Sequence, residues 1–151
     1  MRVIYLGLAS ILGVLGAVSF SNSVGANHPP LFATLSGGYE VDMKGMAAKG
    51  DTDSYGSATV ILNPTQKKLC FALAVDNVEP PKAAHIHKGT AGMNGPVVVT
   101  LTPPTVSPGA SSGCVSVEAA LLKDIQDKST GYYINVHNAK YKDGALRGQL
   151  H

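Results

Sequence analysis

Two short stretches of this chain place imidazoles where they could act together: Ala84-His85-Ile86-His87-Lys88-Gly89 and Tyr133-Ile134-Asn135-Val136-His137. Side chains of an extended strand alternate between its two faces. His85 and His87 then share one face and Ile86 takes the other. Tyr133, Asn135 and His137 share a face in the second stretch, with Ile134 and Val136 opposite. If the apolar faces meet a core, three imidazoles emerge on the polar sides. Imidazole nitrogen suits Cu(II) and Zn(II), with copper the first choice here and zinc the second. A ligating ring also needs its other nitrogen held by a carbonyl or carboxylate. Glu40, Asn94 and Asn135 are candidates for that supporting role. Arg147 could donate to carbonyls or a carboxylate, or guide an anion. A fourth ligand is left open among His151, His28, Met93 and water. Met43, Met46 and Met93 carry thioethers, which suit Cu(I), although scattered methionine more often packs or sits on the surface. The competing reading is of histidines that satisfy local hydrogen bonds and pin a glycine-rich loop.

Other chemistries find less support. Gly89, Gly92 and Gly95 with Pro96 lack the strand-to-helix context and the Lys-Ser/Thr ending of a phosphate loop. No Ser/His/Asp set has a supporting motif, no carboxylate pair predicts glycosidase chemistry, and no catalytic residue is assigned.

Composition sets the frame. The chain has 151 residues, so one domain is the default. Arg2 precedes an uncharged apolar or small run from Val3 to Phe20, followed by the polar Ser21-Asn22-Ser23 and the small-x-small pair Val24 and Ala26. This is the pattern of a cleavable leader at residues 1–26, which leaves a domain at residues 27–151 in a secreted, periplasmic or otherwise extracytoplasmic location. A retained leader would instead anchor the chain to a membrane. Without Arg2, eleven basic residues face ten acidic ones. That near-neutral balance, with no basic stripe and no Trp, argues against a nucleic-acid partner. Two cysteines remain, Cys70 and Cys114. An oxidising compartment favours a disulfide between them; two buried thiols on neighbouring strands are the alternative.

The positioning elements read as short strands between turn residues. Strands are expected at residues 31–35, 57–62, 69–75, 83–87, 97–101, 114–117, 132–138 and 145–150, and one helix at 119–128, where Leu121, Leu122 and Ile125 form an apolar stripe. Ser57–Leu62 and Leu69–Val75, separated by Asn63-Pro64-Thr65-Gln66, predict an antiparallel hairpin. Residues 40–53 and 102–113 read as loops. Many short strands with a single helix predict an all-β fold, an antiparallel β-sandwich or barrel.

The chain resembles the CHRD domain family, the module named after chordin. The resemblance rests on Ala83-Ala84-His85-Ile86-His87-x-Gly89, on Gly92-x-Asn94-Gly95-Pro96-Val97-Val98, on Tyr133-x-Asn135-Val136-His137, and on Gly144-Ala145-Leu146-Arg147-Gly148-Gln149-Leu150. Leu35-Ser36-Gly37-x-x-Glu40-Val41 resembles the family's opening motif. Where members commonly continue with prolines, Asp42-Met43-Lys44-Gly45 stands here. The resemblance implies an exported module with an immunoglobulin-like barrel, weakly similar to copper/zinc superoxide dismutases, and an extracellular protein as the kind of partner. His85, His87 and His137 fit the copper half of the dismutase pattern. Its bridging histidine and zinc ligands have no counterpart between Gly89 and Pro96. The expected function is a binding module with a transition metal at the three histidines. The alternatives are a copper redox enzyme and a structural or adhesive domain without metal.

Overall fold

The computed structural model describes residues 28–151; the leader expected at residues 1–26 lies outside them. The elements run β1 (Leu31–Ser36), β2 (Tyr55–Asn63), β3 (Lys68–Asp76), β4 (Ala83–Lys88), β5 (Val97–Leu101), β6 (Gly109–Ser116), α1 (Ala119–Asp127), β7 (Tyr132–His137) and β8 (Leu146–Gln149). All eight strands belong to one antiparallel sheet in the order β5-β4-β7-β8-β1-β2-β3-β6. The sheet curls into a nearly closed barrel. Its inward residues from every strand but β6, together with Leu122 and Ile125 of α1, make a single apolar cluster. Near the seam, Ser111 Oγ of β6 donates to the Thr102 carbonyl just beyond β5, at 2.7 Å.

The predicted hairpin is β2–β3. The alternation brings Ala58, Val60 and Leu62 opposite Leu73, Phe71 and Leu69, all buried. Asn63 Oδ1 closes the turn by accepting from the Gln66 amide at 2.9 Å. The helix forms where its apolar stripe predicts, and it sinks Leu122 and Ile125 into the core. Glu118, its N-cap residue, makes no capping hydrogen bond and pairs instead with Lys67 at 3.0 Å.

The largest boundary difference from the sequence expectation is in β6. β6 starts at Gly109, not at 114, and pairs along its length with β3 from Val75↔Gly109 to Lys68↔Ser116. Gly109-Ala110-Ser111-Ser112-Gly113 has little intrinsic strand preference. The exposed edge of β3 supplies the ladder that overrides this weakness. Cys70 and Cys114 face each other in that ladder and form a disulfide with a Cα–Cα distance of 4.0 Å. Among the described residues no helix is long and apolar enough to cross a membrane.

Candidate metal centre and the polar layer beneath it

Strand register builds the site. Directly opposed residues of an antiparallel pair project from the same face. His85 opposes Asn135, Asn135 opposes Arg147, and Arg147 opposes Ser36. The next row holds His87, Tyr133 and Gln149. Both rows lie on the outer face of β4, β7 and β8. Ile86, Ile134, Val136 and Leu146 point inward and are fully buried. His137 opposes Ala83 at the end of β7 and so flanks His85.

The outer face is not open to water at its centre. Two loops, residues 37–54 and 89–96, fold over it, and Tyr133, Asn135 and Arg147 are each at most 2% exposed. A second layer results, polar where the first is apolar. Arg147 is its pin. The guanidinium stacks 3.5 Å from the centroid of the Tyr133 ring. It donates to the carbonyls of Thr90 and Met93 at 2.9 and 2.8 Å and to Asn94 Oδ1 at 3.1 Å. Asn94 in turn donates to the Val41 carbonyl at 2.9 Å, which ties the two loops together. Glu40 enters the layer from the first loop and accepts from Asn135 Nδ2 at 2.7 Å. Burial pushes its carboxyl up to about 8, against the opposing pull of Arg147 and of the Asn135 hydrogen bond.

The three imidazoles sit at the rim of this layer. One ligand-capable nitrogen from each of His85, His87 and His137 lies within 4.8 Å of the others. Nitrogens 2.0–2.1 Å from one tetrahedral ion stand about 3.3–3.4 Å apart, so side-chain shifts of roughly an ångström or more close the set. Two rings have their tautomers fixed by backbone carbonyls. His87 Nδ1 is 2.8 Å from the Gly95 carbonyl and His137 Nδ1 is 2.9 Å from that of Lys142. A carbonyl only accepts, so both Nδ1 atoms carry hydrogen and both Nε2 atoms present lone pairs. His87 Nε2 is buried and has no hydrogen-bond partner. His137 Nε2 is 3.2 Å from His85 Nδ1, which donates to it when no ion intervenes. Nε2 of His87 and of His137 are free to ligate, and His85 Nδ1 joins them once its hydrogen moves to Nε2. Burial lowers all three imidazoles below their ordinary value, which keeps them neutral at pH 7 as ligation requires. Tyr133 lies parallel to His87, its ring centroid 4.8 Å away, and the same ring carries the Arg147 guanidinium at 3.5 Å.

The remaining residues singled out in the sequence have definite places. Glu40, Asn135 and Arg147 belong to the buried layer and Asn94, an exposed loop residue, bonds to it, but their hydrogen bonds go to each other and to loop backbone; the imidazoles lean on the Gly95 and Lys142 carbonyls. His151 is exposed and borders a separate cavity of about 550 Å³ with Arg147 and Gln149. His28 is exposed and meets Gln126 of α1 at 2.6 Å. Met93 is 60% exposed on the second loop. Neither His28 nor His151 joins the cluster of three.

Sequence reasoning missed Tyr133 as a stacking partner and both carbonyl acceptors. A backbone carbonyl leaves no residue-type signal. Gly95 did carry one: a Cβ there would collide with the Lys88 carbonyl, so only glycine lets the loop pass close enough to reach His87.

A family model for the CHRD domain matches residues 31–150. A search of curated proteins found no match.

Proposed function

The chain belongs to the CHRD-domain family, and from that membership and the geometry of the site we infer that it is an extracytoplasmic binding module that holds one transition-metal ion through His85, His87 and His137. Copper is the first choice and zinc the second, since a neutral three-imidazole set suits both. The observation that carries this reading is the unpartnered, buried Nε2 of His87. A buried polar atom without a partner costs about 1–3 kcal/mol. Here the three imidazoles each bring a ligand-capable nitrogen within 4.8 Å of the others, and the Nδ1 of His87 is already tied to a carbonyl. That arrangement supports ligation better than it supports loop-pinning, which would use both nitrogens. The Cys70–Cys114 bridge supports export, because disulfides persist in oxidising compartments.

Titration of the purified chain with Cu(II) and Zn(II) tests the proposal. One equivalent of bound metal is expected, with binding lost in the His85→Ala, His87→Ala double variant. Retention of less than about a tenth of an equivalent of either metal, or full binding by the double variant, overturns it.

A further inference from the structure

All three methionines of the described chain stand on the two loops that cover the polar layer, and all are exposed: Met43 at 96%, Met46 at 57% and Met93 at 60%. None helps fill the core. Isolated apolar residues on a surface need no explanation, but these three are not isolated. Asp42–Met46 is a tight turn. The Asp42 amide donates to the Met46 carbonyl at 3.0 Å, the Gly45 amide to the Asp42 carbonyl at 2.9 Å, and Asp42 Oδ1 accepts from the amides of Lys44 and Met46 at 2.8 and 3.0 Å. The second loop makes its own turn, with the Met93 amide donating to the Thr90 carbonyl at 3.1 Å. The two turns touch tip to tip. A Cβ at Gly45 would lie 3.1 Å from the Gly92 carbonyl, and both glycines hold φ of +77°. Met46 follows Gly45 and Met93 follows Gly92, while Met43 stands two residues before Gly45. The half-buried Asn94–Val41 bond and the Arg147 bonds to Thr90 and Met93 hold the turns in this relation.

We propose that Met43, Met46 and Met93 form a second metal site, for a soft monovalent cation of the Cu(I) class, separate from the three imidazoles. Thioether sulfur is a soft, neutral donor that prefers Cu(I) over divalent ions. Three rotatable bonds let each side chain swing its sulfur toward a shared ion, and the fixed turns keep the three attachment points together. Asp42 pairs with Lys49 at 3.9 Å and Lys44 stands exposed between Met43 and Met46, so a cation is drawn here by sulfur and not by charge. The two ligand sets differ in hardness and share a loop, since Gly95, which orients His87, is two residues from Met93. One face of the protein is thereby equipped for both oxidation states of copper. This proposal does not require the imidazole site to be occupied.

Silver(I), a redox-inert cation of the same softness, is the probe. Using the full chain with 13C-labelled methionine methyls, we expect the Met43, Met46 and Met93 resonances to shift together and saturate at one equivalent of Ag(I), with Met1 as the internal control. The same shifts are expected in the His85→Ala, His87→Ala variant and in wild-type chain first saturated with Zn(II). The Met43→Leu, Met46→Leu, Met93→Leu triple variant changes only exposed side chains; it should bind Ag(I) at least tenfold more weakly and leave Cu(II) binding by the imidazoles intact. No concerted shift, or a shift of one methyl alone, overturns the proposal. So does a response that disappears whenever the imidazoles are removed or filled, which would make a thioether merely the fourth ligand of the histidine site.

Discussion

The two halves of the sheet share an inner core and differ on their outer faces. Over β4, β7 and β8 the outer face is roofed by two loops and filled with Arg147, Glu40, Asn135 and Tyr133. Over β2, β3 and β6 it is bare. Ser57, Ala72, Ala74, Ala110 and Ser112 face solvent there. The bare half holds itself by a continuous ladder and one covalent bridge. The roofed half has shorter strands and depends on side-chain hydrogen bonds that reach into loop backbone. Chemistry collects in the roofed half because a covered polar face has low dielectric, where each hydrogen bond and each lone pair counts for more. A bare face of small residues leaves nothing to tune.

Substitutions in the two halves sharpen or break this contrast. The largest effect is expected at Arg147. Arg147→Ala removes a fully buried cation, its ring stack and three hydrogen bonds, and strands the acceptors of the second loop. A loss of about 3–5 kcal/mol is expected from chemical denaturation, with metal affinity falling too as Gly95 loosens its hold on His87. Arg147→Lys should recover little of either, because one ammonium cannot copy the planar fork. A loss no greater than that of a surface change would mean the layer does not hold the roof.

In the bare half, reduction of Cys70–Cys114 should cost about 2–4 kcal/mol, since the bridge closes a long loop in the unfolded chain. The metal site should be little affected, as neither cysteine lies on a strand that carries one of the three imidazoles. Equal damage to metal binding would show that the halves act as one unit.

Glu40 offers a pH test confined to the roofed half. Folding raises its carboxyl from 4.5 to about 8, so the folded state binds the proton more tightly. The stability tied to this group is full below pH 4.5, declines as pH rises through the interval up to about 8, and is level beyond it. Glu40→Gln keeps an acceptor for Asn135 and removes the charge. Its unfolding free energy should exceed that of wild type by about 1–3 kcal/mol near pH 8 and match it near pH 4.5. A parallel decline in both proteins would show that another group sets the slope. The smallest change is expected at Ala74→Lys on the bare face, within about 0.5 kcal/mol of wild type.

Much of this arrangement was legible in the sequence because strand alternation is a strict code. It put Ile86, Ile134 and Val136 inside and gathered His85, His87 and His137 outside, and it marked the β2–β3 hairpin. The roof was not legible. Residues 40–53 have no periodicity, so nothing local says that Glu40 turns inward to meet Asn135, 95 positions away. For the same reason Tyr133 read as a residue on a polar face; that this face has a lid is a fact of tertiary structure. The beginning of β6 was hidden by its Gly, Ala and Ser content, which becomes strand only when β3 offers its edge.

The place of β8 between β7 and β1 has a consequence for biosynthesis. As the polypeptide emerges in order, β1, β2, β3 and β6 can assemble as one ribbon and β4, β5 and β7 as another, but no hydrogen-bonded strand joins them until Leu146–Gln149 arrives. That segment also brings Arg147, and with it the clamp on both covering loops. The frame that aims the three imidazoles is thereby complete only once β8 is in place: a shorter polypeptide has the imidazoles without it.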